Sequence, residues 1–150
     1  MRIFIVACKL IILIGFKNKI VKKNVLFVVN PISGDLDKAD LIEAVQEFAA
    51  TNHFDLEVYE TTGKNDSKEI QSIYKQYNPE RIIVAGGDGT IKMVAEAMEE
   101  HDVVIGILPA GSANGLSVDL NLPDGIEENL KIAFLHHYIE MDMICINGKK

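Results

Sequence analysis

Cysteine and positive charge are both scarce in this sequence. The only cysteines, Cys8 and Cys145, lie far apart without cysteine or histidine neighbours at zinc-like spacing, so neither a disulfide framework nor a zinc site is indicated. Lys and Arg number 15 against 22 Asp and Glu, which gives a net charge of −7. Binding to nucleic acid needs a clustered surplus of cations, so we expect no nucleic-acid partner. A reducing cytoplasm suits this composition.

Apolar runs long enough to span a bilayer are also missing. Residues 1–16 are strongly apolar, but Lys9 interrupts them and no small-residue cleavage site typical of a signal peptide follows. We expect residues 1–23 to form an apolar N-terminal extension or an extra strand ahead of a domain at 24–138. A membrane-targeting segment is the alternative.

The two common nucleotide-binding fingerprints are absent. No Gly-x4-Gly-Lys-Ser/Thr motif occurs, and no Gly-x-Gly-x-x-Gly follows the first predicted strand. Walker-type NTPases and dinucleotide-dependent oxidoreductases are therefore disfavoured.

What the sequence does contain is a regular alternation of strand and helix patterns, in a length of 150 residues that suits one domain. Apolar runs at 25–29, 82–85 and 103–108 predict buried strands, and alternating residues at 54–58 predict a half-buried one. Apolar residues at helical spacing follow each strand. This order predicts an α/β fold with an open, mainly parallel sheet and helices on both faces.

Some boundaries carry finer signals. Asp66 with Glu69 has the spacing of a capping box at the start of the second helix. Another helix is expected after Pro123, with an apolar face formed by Ile126, Leu130, Ala133 and Phe134. A final strand is expected over 139–146.

Glycine-bearing turns follow the predicted strands at 30–34, 86–90 and 109–115. In a parallel sheet such turns meet at the carboxyl edge, where ligands bind. Glycines allow backbone amides to approach a phosphate closely, and a helix amino terminus adds partial positive charge. The turns therefore predict a phosphate cradle built without lysine. Asp88 is the candidate Mg²⁺ ligand, whereas an ordinary helix cap and tight turn is the structural alternative.

These turns resemble motifs of the diacylglycerol kinase catalytic-domain family, which includes bacterial lipid kinases and sphingosine kinases. The resemblance rests on Asn30 to Gly34, on Gly86 to Thr90, on a Pro-x-Gly-Ser-x-Asn segment at 109–114 and on Leu122-Pro123. It covers about 24–148. It implies the N-terminal nucleotide-binding domain of such an enzyme, with a fold like that of NAD kinase and diacylglycerol kinase.

The resemblance also implies a reaction: transfer of the γ-phosphoryl of ATP, with Mg²⁺, to a lipid hydroxyl such as that of diacylglycerol or a sphingoid base. Asp88 would be the catalytic residue of this half, with the general base expected beyond Lys150. Residues 139–150 would begin a truncated β-rich second domain that meets the lipid. The enzyme would be cytoplasmic or peripheral at the inner membrane face. The residues implied to bind nucleotide are Asn30, Pro31, Ile32, Ser33, Gly34, Thr61, Gly86, Gly87, Asp88, Gly89, Thr90, Gly111, Ser112 and Asn114.

One departure from the family pattern leaves alternatives open. Relatives commonly carry Asn-Glu two and three residues after the motif threonine, where this chain has Lys92 and Met93. An NAD kinase-like enzyme shares the Gly-Gly-Asp-Gly-Thr turn and is one alternative. A non-catalytic nucleotide-binding module is the other.

Overall fold

The computed structural model describes residues 23–34, 38–134 and 138–141, and these contain four strands and five helices. Strands and helices alternate except at the end, where two helices follow the last strand. In chain order they are β1 (Lys23–Val29), α1 (Lys38–Thr51), β2 (Phe54–Glu60), α2 (Asp66–Tyr77), β3 (Arg81–Gly86), α3 (Asp88–Ala97), β4 (Val104–Pro109), α4 (Gly115–Asp119) and α5 (Ile126–Phe134).

The four strands form one parallel sheet in the order β2-β1-β3-β4. The predicted α/β class and parallel sheet are thus confirmed. β1 and β3 are central and almost wholly buried, whereas β2 lies at an edge and shows the predicted half-buried alternation. Parallel strands that are covered on both faces are apolar throughout, which is why β1 and β3 lack alternation in sequence.

Successive residues of β1 point to opposite faces of the sheet and create two cores. Phe27 packs with α1 and α5 on one face. Leu26 and Val28 pack with α2 and α3 on the other. Helices therefore cover both faces, as predicted.

Both α2 and α5 formed as predicted, and Leu130, Ala133 and Phe134 of α5 are buried, but one detail at the start of each helix was wrong. Asn65, not Asp66, is the cap of α2, and the Asp66 carboxylate accepts hydrogen bonds from the preceding loop instead of forming a capping box with Glu69. On α5, Ile126 is 44% exposed and Asn129 is buried. The helix starts only at Ile126, and the Asn129 side chain turns inward to bond the carbonyl of Gly125.

Other expectations concern residues outside this description. Residues 1–22 and most of the final strand expected at 139–146 lie there, and residues 139–141 are not in a strand. The short helix α4, directly after the third glycine turn, was not predicted. No helix within 23–34, 38–134 and 138–141 has the length and apolar character needed to cross a bilayer.

Candidate functional site

The strand order places a crevice between β1 and β3. From β1 the chain moves outward to β2 and then crosses to β3 on the opposite side, so the connections at the carboxyl ends of β1 and β3 diverge. Ligands of open parallel sheets bind at this kind of switch point. The first two glycine turns begin there, and the third follows β4 beside them.

A cleft of about 630 Å³ lies at this edge. Most of the predicted site residues line it: Asn30, Ile32, Ser33, Gly34, Thr61, Gly87, Asp88, Gly89, Thr90, Gly111 and Ser112. Pro31, Gly86 and Asn114 do not line it. The structure therefore brings the three turns together around one cavity, as their positions after the strands predicted.

Asn30 joins the first turn to the second. Its Nδ2 donates to Oγ1 of Thr90 at 3.2 Å, and its Oδ1 accepts from the backbone N–H of Ile32 at 3.2 Å. Thr90 is buried and belongs to the first turn of α3. Asn30 therefore shapes its own turn and fixes that turn against α3, the helix that begins within the second turn.

The carbonyl oxygen of Ala110 joins the first turn to the third. It accepts a hydrogen bond from Oγ of Ser33 at 3.0 Å and another from Nζ of Lys38 at 2.8 Å. Gly34 has a φ of 64°, and a Cβ there would lie 2.7 Å from the same oxygen. Glycine is therefore required at 34 for both its backbone conformation and this close approach.

The backbones of the second and third turns lie in close contact. A Cβ on Gly111 would collide with Cα of Gly87. Asn114 does not reach the cleft because both ends of its amide bond the backbone of Gly111, at 2.8 and 2.7 Å. Gly86 also lies outside the cleft lining, but glycine leaves room there for the side chain of Thr90, because a Cβ at position 86 would lie 2.6 Å from it.

Asp88, the predicted Mg²⁺ ligand, holds the start of α4. Its Oδ2 accepts from the N–H of Gly115 at 2.9 Å and its Oδ1 from the N–H of Leu116 at 3.1 Å. The side chain is exposed at the cleft, and each carboxylate oxygen keeps a lone pair. One carboxylate suits Mg²⁺ that is otherwise bound by phosphates and water. Within the described ranges, no three His, Cys, Asp or Glu side chains cluster as a metal site.

The charge of the cleft is negative. Its charged lining residues are Asp66 and Asp88, and none of the residues that line it is Lys or Arg. Positive potential comes instead from the amino terminus of α3, whose first amides have no acceptor within the helix. These amides are the groups that the cleft offers to an anion.

Five lining residues were not among the predicted ones. They are Thr62, Gly63, Asp66, Met93 and Ala113. Thr62, Gly63 and Asp66 follow β2 at the same sheet edge as the glycine turns. Their position after a predicted strand could have identified them as residues of the cleft. The contact of Lys38 with the third turn was also missed, because the two groups are 72 residues apart in sequence.

The sequence-family model of the diacylglycerol kinase catalytic domain matches residues 24–146 of this chain. The chain belongs to this family. It is 34% identical over 97 residues to a protein of Klebsiella pneumoniae (strain 342) named "Probable lipid kinase YegS-like", a match covering 63% of this chain and 33% of that protein. A Salmonella typhimurium protein named "Probable lipid kinase YegS" is 32% identical over 93 residues, covering 59% and 31%.

A solved structure described as a diacylglycerol kinase from Bacillus anthracis str. Sterne superimposes with a TM-score of 0.63 at 29% identity. The match covers 75% of this chain and 42% of that one. The chain thus spans about one third of the length of the curated relatives it matches. The family assignment agrees with the resemblance found in the glycine turns.

Proposed function

We propose that this chain binds ATP in the cleft and is the nucleotide-binding part of a lipid kinase. The observation that carries the proposal is the convergence of three glycine turns on the amino terminus of α3, between the carboxyl ends of β1 and β3. Backbone amides and a helix dipole are a general means of binding phosphate. The family's relatives named as lipid kinases support the choice of reaction.

The phosphates are proposed to lie against Gly87, Gly89 and Gly111. A Cβ on Gly89 would meet no atom within 4 Å, so the backbone there is open to the cleft. The free amides of Asp88 and Gly89 would donate to phosphate oxygens. Ser112, which is exposed on the cleft wall, would add a hydroxyl donor.

Mg²⁺ is proposed to bind Asp88 and the phosphates together. The cleft provides carboxylates and no lysine or arginine, so a cation is needed to offset the charge of the triphosphate. When bound, Mg²⁺ supplies electrostatic stabilisation of phosphoryl transfer. The protein residues contribute orientation: the joined turns hold the phosphates in one position and reduce the entropic cost of reaction.

The acceptor is proposed to be a lipid hydroxyl, with diacylglycerol first and a sphingoid base second. The general base is proposed to lie beyond Lys150, because phosphoryl transfer needs both sides of the cleft. Met93 lines the cleft and Lys92 forms an ion pair of 3.8 Å with Glu96 on the exposed side of α3. Neither residue contributes a carboxylate to the cleft.

The test has two steps. Calorimetric titration of this chain with MgATP should show one site. Radiolabelled ATP is then incubated with extracted membrane lipids or with NAD, and the product of this chain is compared by mass with that of its longest natural reading frame, where we expect the phosphorylated lipid. Asp88→Asn is the control for contaminating kinase. ATP binding with no phosphorylated lipid from either protein supports the non-catalytic module. Phosphorylation of NAD rather than lipid supports the NAD kinase-like alternative, and no binding refutes the proposal.

A further inference from the structure

Asp66 is a buried carboxylate that the proposed ATP reaction does not use. It is 6% exposed, it is the first residue of α2 and it lines the cleft on the side of β2. A buried carboxylate is unfavourable unless it accepts hydrogen bonds. The donors to Asp66 therefore indicate which part of the structure this side chain stabilises.

Those hydrogen bonds come from the end of β2 and from the segment between β2 and α2. Oδ1 accepts from Oη of Tyr59 at 2.8 Å, from the N–H of Thr62 at 2.8 Å and from Oγ1 of Thr62 at 3.1 Å. Oδ2 accepts from the N–H of Gly63 at 2.8 Å. Among the described residues no lysine or arginine forms a salt bridge with Asp66. The carboxylate is therefore held by loop donors and holds the loop in return.

The charge of Asp66 is part of this arrangement. Burial raises the pKa of Asp66, but the hydrogen bonds from Thr62, Tyr59 and Gly63 outweigh it and hold that pKa below its ordinary value. Burial, with the hydrogen bond to Asp66, raises the pKa of Tyr59 to about 12. The pair is thus an ionised acceptor and a neutral donor at neutral pH, which gives charge-assisted hydrogen bonds.

The loop that Asp66 bonds, residues 61–63, forms one wall of the cleft. Thr61, Thr62 and Gly63 all line it. The segment starts at Thr61, whose N–H donates to the carbonyl of Val29 at 2.8 Å. Gly63 has a φ of 77°, and a Cβ there would meet no atom within 4 Å, so packing by neighbouring side chains does not fix it. Asp66 supplies the second anchor.

We propose that Asp66 is a positioning residue that holds Thr61–Gly63 as one wall of the ATP cleft. The proposal rests on the proposed binding of ATP in this cleft. The side chain of Asn has nearly the same shape as that of Asp, but its NH₂ group is a donor. In Asp66→Asn this group would face N–H or O–H donors of the loop, so hydrogen bonds that hold residues 61–63 would be lost. ATP affinity would then fall through loss of preorganisation.

The test compares Asp66→Asn with two matched controls in MgATP titrations. Glu69→Gln removes the same charge from an exposed position one turn along α2. Ile70→Val removes a methylene from a buried position of α2 that does not line the cleft, so it lowers stability without touching the loop. We expect Asp66→Asn to raise the Kd for ATP about tenfold, and both controls to keep the wild-type Kd.

Amide hydrogen exchange gives a second readout. Exchange at Thr62 and Gly63 should accelerate in Asp66→Asn and stay unchanged in Ile70→Val. A folded Asp66→Asn protein with wild-type Kd overturns the proposal, and so does an equal loss of affinity in Asp66→Asn and Ile70→Val.

If Asp66→Asn does not fold, Tyr59→Phe carries the test, because it removes one donor to the carboxylate and leaves the charge. Faster exchange at Thr62 and Gly63 with weaker ATP binding supports the proposal, and wild-type behaviour overturns it. A wild-type protein that does not bind MgATP refutes the proposed function itself, which distinguishes that failure from a failure of Asp66.

Discussion

Replacement of Gly89 by alanine should separate stability from ATP affinity. Gly89 is the second residue of α3, it lines the cleft and a Cβ there would meet no atom within 4 Å. Alanine in a helix is more favourable than glycine by about 0.5–1 kcal/mol. Gly89→Ala should therefore raise the melting midpoint by about 1–4 °C for a chain of this size.

The same methyl group should weaken ATP binding. It would stand where the proposed phosphate approaches the amides of Asp88 and Gly89. Loss of one hydrogen bond to a charged group costs about 1.5–3 kcal/mol, which is a rise in Kd of about tenfold or more. Thermal unfolding with and without MgATP, followed by calorimetric titration, measures both effects on one sample.

Gly111→Ala is the matched comparison. Its Cβ would collide with the backbone of Gly87, so both stability and affinity should fall. A Gly89→Ala protein that is more stable and binds ATP like wild type would refute the placement of phosphate at the start of α3. A less stable Gly89→Ala protein would show that the space beside Gly89 is not open.

Further predictions concern the two carboxylates and the metal. Asp88→Asn should destabilise the protein by about 0.5–1 kcal/mol, because one of the N–H groups of Gly115 and Leu116 loses its acceptor; urea unfolding measures this, and an unchanged midpoint would contradict the capping role. Removal of Mg²⁺ with EDTA should weaken ATP binding in calorimetry, since no lining residue is Lys or Arg; equal affinity without metal would refute this. The pKa of Asp66 is lowered on folding, so its stabilising contribution is complete above the ordinary carboxyl pKa of 3.8 and is lost as pH falls through the lower folded value. The stability difference between wild type and Asp66→Asn should shrink over that acidic range, and a constant difference would argue against an ionised Asp66.

The sequence was sufficient to predict where the site lies, because the strands and glycine turns that form it are recognised from neighbouring residues. Apolar runs identified β1 and β3, and each glycine turn lies within a few residues of the strand it follows. Parallel pairing then places the turns at one edge whatever the side chains do.

The sequence also determined a parallel α/β sheet with three glycine turns at its carboxyl edge, and membership of the diacylglycerol kinase catalytic-domain family. Tertiary structure decided what each polar side chain does there. Asn30 and Thr90 are 60 residues apart and Ser33 and Ala110 are 77 apart, so no local pattern reveals these contacts. Asn114 bonds the backbone of its own turn, which the sequence did not reveal. Asp66 was predicted to cap α2, whereas its carboxylate accepts hydrogen bonds from the loop after β2. Local periodicity reports which face is buried, whereas hydrogen-bond partners depend on which distant backbone groups the fold brings within about 3 Å.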